Sequence, residues 1–172
     1  ETLNWRYRSV PQAQLNGRQV GYPRGRGLGG SALINGMVYF RGHPRDYDTW
    51  AAAGAPGWSY REVLPYFLKS EHNENFRDSP FHGRSGPMNV RSITRPNPLN
   101  FAFFEALGSL GYTAREDLNG EDSEGMALRQ VCIRGGTRET TASALLRPAM
   151  SRPNLTVLTD ARATRVLLNG RR

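Results

Sequence analysis

Apolar residues recur at helical spacing in a few stretches of this chain, and the clearest is 97–111. Leu99, Ala102, Phe103, Ala106, Leu107 and Leu110 fall on one side of a helical wheel, with Asn97 as cap, Pro98 at the first helical position and Gly111 at the close. That stripe is expected to face a core. Ser59-Tyr60-Arg61-Glu62 forms a capping box, with Trp58 placed to pack on Val63, and predicts a helix running to about residue 71. Pro65 removes one early hydrogen bond and predicts a kink or a short first turn. His43-Pro44 opens another helix, with Tyr47, Trp50 and Ala51 on its apolar face and Gly54 as its stop. A fourth helix is expected over 140–146, ending near Pro148.

Strand composition appears at 87–90, at 128–134 before the Gly135-Gly136 turn, at 155–158 and at 165–168. Asn16-Gly17 reads as a hairpin tip. Asn169-Gly170 is a second such signal, and the returning strand it calls for has no residues beyond Arg172. The chain is therefore expected to be an internal piece of a longer protein. The stretch 72–85 is polar and turn-rich, so it reads as a surface connection with His82 as a surface turn residue. Residues 115–125 read as an acidic loop.

The densest local signal is Pro23-Arg24-Gly25-Arg26-Gly27-Leu28-Gly29-Gly30-Ser31-Ala32-Leu33-Ile34-Asn35-Gly36. Glycine reaches backbone angles closed to other residues and lets a ligand approach the main chain. Ser31 can cap a helix running from Ala32 to about Phe40. A glycine-rich turn feeding a helix presents free N–H groups to an anionic or acceptor-rich ligand. Gly36 would fall inside that helix at a cost of about 1 kcal/mol, which argues that something lies against the backbone there. A Walker phosphate loop is excluded, because no lysine precedes Ser31. Gly25, Gly27 and Gly30 match the spacing of a dinucleotide fingerprint, but Tyr22-Pro23 is no strand to lead into it.

Composition adds limits. The 172 residues include 38% hydrophobic positions, enough for one modest core. No apolar run approaches the ~20 residues that span a bilayer. No leader and no initiator Met are present, which also fits a chain that starts partway. The net charge is +8, and every basic residue but Lys69 is an arginine. These arginines are scattered, as on a solvated surface, and Arg24-Gly25-Arg26-Gly27 is a single short RG copy rather than a repeat. Cys132 stands alone, so no internal disulfide forms and a reducing compartment is expected. Asp117, Glu121, Asp122 and Glu124 do not keep calcium-loop spacing, and no metal site is expected. His43 is expected to be a hydrogen-bonding residue at a helix end.

The glycine-rich stretch with its continuation Met37-Val38-Tyr39-Phe40-Arg41-Gly42 resembles the first signature of the glucose–methanol–choline (GMC) family of FAD-dependent oxidoreductases, on its choline-dehydrogenase-like branch. Further matching words follow in family order: Asp46-Tyr47-Asp48-Thr49-Trp50, Pro56-Gly57-Trp58-Ser59-Tyr60, Leu64-Pro65-Tyr66-Phe67, His82-Gly83, Gly86-Pro87, Asp117-Leu118-Asn119-Gly120, Glu124-Gly125, Thr141-Ala142-Ser143 and Arg152-Pro153-Asn154-Leu155.

The resemblance implies an α+β piece of a two-domain fold, an FAD-binding Rossmann-like domain with an antiparallel-sheet substrate domain. Residues 1–85 would belong to the FAD domain, 86–152 to the substrate domain, and 153–172 to strands returning to the FAD domain. It implies flavin contacts from Gly30, Ser31, Asn35, Gly36, Met37 and Val38, with amides facing the pyrimidine edge, and a backbone contact near the adenine from Ala163. Some members tether flavin through a histidine before the motif asparagine; Ile34 stands there, which implies non-covalent FAD. The family's catalytic pair lies beyond Arg172, and His43, His72 and His82 do not match it, so no catalytic residue is assigned. The implied partners are a small-molecule alcohol, choline-like or another primary alcohol, and the remainder of the protein's own chain. No nucleic acid is expected, and the location is cytoplasmic or peripheral at the inner membrane face. The rival readings are an arginine-rich nucleic-acid-binding module and a non-catalytic domain that keeps the fold.

Overall fold

The computed structural model describes residues 3–170. Strands β1 (Tyr7–Arg8) and β2 (Gly21–Tyr22) pair antiparallel, closed by a turn in which Asn16 (φ 52°) and Gly17 (φ 75°) take left-handed conformations. The expected hairpin tip is there, because those two residue types tolerate that region. A four-stranded sheet follows, ordered β3 (Val38–Tyr39), β6 (Gln130–Val131), β5 (Met88–Ser92) and β4 (Glu71–Asn73). The β3–β6 and β5–β6 pairs are antiparallel and β4–β5 is parallel. Strands β7 (Ile133–Arg134) and β8 (Thr137–Arg138) form a hairpin through Gly135-Gly136. No helix among the described residues is long and apolar enough to cross a membrane.

Helix α1 (Pro44–Ala52) starts as its sequence dictates. His43 Nδ1 accepts from the Arg45 amide at 3.1 Å, and Asp46 accepts from the His43 amide at 3.0 Å. Helix α2 (Tyr60–Ser70) carries the Ser59–Glu62 capping box, runs through Pro65, and passes directly into β4 at Glu71. Tyr47 fills the space between these helices. Its ring meets Trp50 and Phe67 edge-on at 5.3 and 5.7 Å, and its hydroxyl accepts from the Gly42 amide at 3.1 Å. Helix α3 (Pro98–Ser109) has Asn97 as its cap, as expected.

Several expectations are overturned. No helix fills 32–40: a 3₁₀ turn covers Gly30–Leu33, and the chain then becomes β3. Val38 and Tyr39 suit a strand, β6 lies ready to pair with them, and Met37 at φ +59° breaks any helix between. Ser31 is no cap; Gly29 holds that position at φ +102°, and Ser31 Oγ accepts from the Gly25 amide at 3.1 Å instead. The strand expected over 128–134 divides at Cys132, whose amide bonds the Met37 carbonyl at 2.8 Å in register with β3 while its carbonyl accepts from the Glu139 amide at 3.0 Å in register with β8. The helix near 140–146 is a wide π turn, Ala142–Leu146, that continues past Pro148 as α4 (Arg147–Ala149). Segments 155–158 and 165–168 form no strands, since no neighbouring strand among the described residues offers them a ladder. Finally, the α3 stripe is not core: Leu99, Phe103 and Leu110 lie at least 61% exposed, and only Phe104 and Leu107 turn half inward.

The interior is accordingly small and partly polar. Val90 and Val131 are its apolar centre, while the most deeply buried large side chains include Glu71, Asn73 and Asn89. Two glycines allow the chain to wrap Glu71. A Cβ on Gly83 would stand 2.1 Å from the Leu68 carbonyl oxygen, and one on Gly86 2.3 Å from the Glu71 nitrogen. Gly83→Ala should therefore destabilise the fold by about 3 kcal/mol. Gly21→Ala, where a Cβ meets nothing within 4 Å, should change stability by less than about 0.5 kcal/mol. Urea titration of both variants measures the difference.

Candidate functional site

The glycine-rich turn is shaped by contacts that only glycine permits. A Cβ on Gly25 would lie 2.0 Å from the Gly30 carbonyl oxygen. From the inner side, Arg138 Nη1 donates to the carbonyls of Ala32 (3.1 Å) and Asn35 (2.8 Å) and to Asn35 Oδ1 (2.9 Å). The Thr141 hydroxyl donates to the Gly29 carbonyl at 3.3 Å. The carbonyls of Gly29, Ala32 and Asn35 are thus held from within. The amides of Gly27, Leu28, Gly29, Ser31 and Gly36 reach no acceptor among the described residues. Sequence reasoning missed Arg138 and Thr141, since nothing local marks a residue that folds back over a hundred positions.

A hollow opens at each end of the turn. One, of about 300 Å³, is lined by Gly36 and Met37 together with Arg91, Arg129, Val131 and Ile133. The other, of about 580 Å³, is lined by Gly27 and Leu28 with Trp5, Arg26 and the 158–162 segment. Arg26 lies 5.1 Å from the Trp5 ring centroid, a cation–π contact that holds this wall. The seven residues expected at a flavin thus separate. Gly30 and Ser31 lie on the 3₁₀ turn, Asn35 uses its side-chain oxygen on its own loop, and Gly36 and Met37 enter the smaller hollow. Val38 lies on β3, and Ala163 follows the wall of the larger hollow.

Behind the sheet lies a buried charge network. Arg41, 5% exposed, bonds Glu71 through Nη2 and donates from Nη1 to the Phe81 carbonyl at 2.6 Å. Glu71 Oε1 meets His82 Nδ1 at 2.8 Å, and His82 Nε2 meets Asp117 at 2.8 Å. Gln130 donates to Asp117 at 2.7 Å and accepts from Asn73 at 2.8 Å. The Arg41 amide donates to Asn119 at 2.8 Å. His82 is therefore not a surface residue but 4% exposed, a correction that its polar, turn-rich neighbours in the sequence concealed. Burial alone would lower its pKa, but hydrogen bonds and charge from Asp117 and Glu71 outweigh that and raise it to about 9. Burial raises Glu71, yet His82, Asn73 and Arg41 bring it below its ordinary value. Asp117 is likewise lowered, against burial, chiefly by His82. Of the acidic loop, Asp117 and Asp122 are thereby engaged with His82 and Arg115.

Residues 9–172 match the family model for GMC oxidoreductase. The chain belongs to the GMC oxidoreductase family. It is 42% identical over its full length to an oxygen-dependent choline dehydrogenase of Brucella anthropi, and 44% identical over 171 residues to that of Rhizobium rhizogenes. It spans 31% of the length of each. Among solved structures, pyridoxine 4-oxidase from Mesorbium loti superposes with a TM-score of 0.90 at 37% identity, covering 99% of this chain and 34% of that one. An FAD-dependent oxidoreductase from Chaetomium thermophilum gives 0.82 at 32% identity, covering 91% of this chain and 29% of that one. The expected family and an α+β fold hold, and membership favours the oxidoreductase reading over an arginine-rich nucleic-acid module.

The network makes stability depend on pH. The folded pKa of His82 lies above its ordinary 6.5, so its contribution is complete below about pH 6.5 and fades as pH rises through about 9. Urea titrations from about pH 6 to about pH 10 should show a loss of roughly 3 kcal/mol, and His82→Gln should flatten that slope.

Proposed function

We propose that this chain supplies the flavin-facing part of an FAD-dependent oxidoreductase that oxidises an alcohol to an aldehyde. The observation that carries this reading is the glycine-rich turn, whose Gly29, Ala32 and Asn35 carbonyls are held from behind while five amides have no acceptor among the described residues, beside two hollows. The residues fit a flat, acceptor-rich ring. A Cβ on Gly30 would meet nothing within 4 Å, and one on Gly36 only Val38 at 3.8 Å. That face of the turn is therefore free for close approach. Gly30, Ser31, Asn35, Gly36, Met37 and Val38 would hold the ring and Ala163 the adenine end, by residue-to-residue match with the family signature. The flavin, when bound, supplies the hydride acceptor for the alcohol carbon. The chain's own part is to present main-chain donors where negative charge gathers, fixed in place before reaction. Ile34 carries no nucleophilic atom, which supports non-covalent FAD.

We further read residues 1–85 and 153–172 as parts of the FAD domain and 86–152 as part of the substrate domain. One sheet joins them, since β3 and β4 pair with β6 and β5. The uncovered apolar side of α3 supports the remainder of the protein's own chain as its partner. We place the protein in the cytoplasm or at the inner membrane face, and read the 172 residues alone as inactive.

The test uses the full-length protein that carries this sequence. It should purify yellow, and denaturation should release all flavin, leaving the peptide with Ile34 unmodified by mass spectrometry. Gly36→Val should weaken FAD retention about tenfold or more, because the added methyls meet the face the ring needs. A colourless protein that takes up no FAD, or an adduct on the Ile34 peptide, would contradict these readings respectively.

A further inference from the structure

The hollow beside Gly36 has a charge pattern that family membership does not assign. Arg129, Val131 and Ile133 are alternate residues running from just before β6 into β7, and the consecutive residues Arg91 to Arg95 follow β5 and its continuation; all of these line the cleft. Gln130, between two of them, enters the buried network on the other face. The cleft therefore has an apolar floor of Met37, Ile93, Val131 and Ile133 between arginines.

Of those arginines, Arg91 is answered by Glu74 at 3.5 Å. Arg95 and Arg129 make no hydrogen bond or ion pair among the described residues. Among the described residues, no aspartate, glutamate, tryptophan, tyrosine or phenylalanine lines the cleft. A quaternary ammonium is held by aromatic faces or carboxylates, and the described residues of the cleft offer neither. A carboxylate, by contrast, is matched by guanidinium donors.

We propose that this cleft is an anion-accepting subsite in which Arg95 and Arg129 bind the carboxylate of a small alcohol and disfavour a choline-like cation. The assignment of the ligand as an alcohol rests on the function proposed above; the charge preference does not.

A matched set of primary alcohols tests it on the full-length protein: 4-(hydroxymethyl)benzoate, neutral benzyl alcohol, and 4-(hydroxymethyl)phenyltrimethylammonium. Isothermal titration calorimetry should find the benzoate bound about tenfold or more tightly than benzyl alcohol, the cation more weakly than either, and the benzoate advantage shrinking with added salt. An Arg95→Gln, Arg129→Gln double variant should bring the benzoate down to the affinity of benzyl alcohol while flavin content is unchanged. Binding of the cation as tight as that of the benzoate would overturn the proposal. So would a double variant that keeps the benzoate preference, or one that loses flavin instead, since the arginines would then serve the cofactor's phosphates. If the double variant fails to fold, the ranking of the three ligands on the unaltered protein still decides. A protein without flavin that keeps the benzoate preference would sink the oxidoreductase reading and leave the subsite standing.

Discussion

The carboxylate of Glu71 is the point from which this structure hangs. It has no exposure to water, and an isolated buried carboxylate is very costly. Arg41 takes one oxygen, and His82 and Asn73 take the other. These partners come from separate places: the end of β3, the turn before β5, and β4 itself. Satisfying one charge therefore closes three segments on each other. Removing one partner from such a set typically costs ~3–5 kcal/mol, because the other charges stay buried. The main chain of Glu71 joins in, its carbonyl accepting from the Gly86 amide at 2.8 Å.

From that anchor the order passes to the glycine-rich turn. Arg41 follows β3, and β3 pairs with β6. Cys132 extends both ladders, its amide bonding Met37 and its carbonyl accepting from Glu139, and the β7–β8 hairpin that follows delivers Arg138 beneath the turn. The sheet has two unlike faces as a result. One buries Gln130 among charges that are all paired; the other sets Val131 and Ile133 in an open cleft beside Gly36. A rigid polar layer on one side positions a receptive surface on the other.

Caps were legible residue by residue. His43, Ser59 and Asn97 begin helices in this structure as their side chains dictate, because a cap needs only a neighbour two or three positions away. The glycines of the turn were legible too, since a crowded main chain admits few alternatives there. The α3 stripe misled: its periodicity is real, but periodicity does not say whether another element lies opposite, and none of the described elements covers it. His82 misled in the reverse direction, because its polar neighbours describe the local chain and not the carboxylates that enclose it.

The sequence by itself determined the family, and with it the starts of α1, α2 and α3, the hairpin at Asn16-Gly17 and the glycine-rich turn, local features that depend on contacts within a few residues. Only the tertiary structure decided that 38–39 would be a strand, that His82 would be a buried cation, and that Arg138 would reach back to Asn35. The reason is physical. Strand pairing and charge burial are settled by partners that stand tens of residues away, and a local pattern has no access to the dielectric or the hydrogen-bond ladder those partners create.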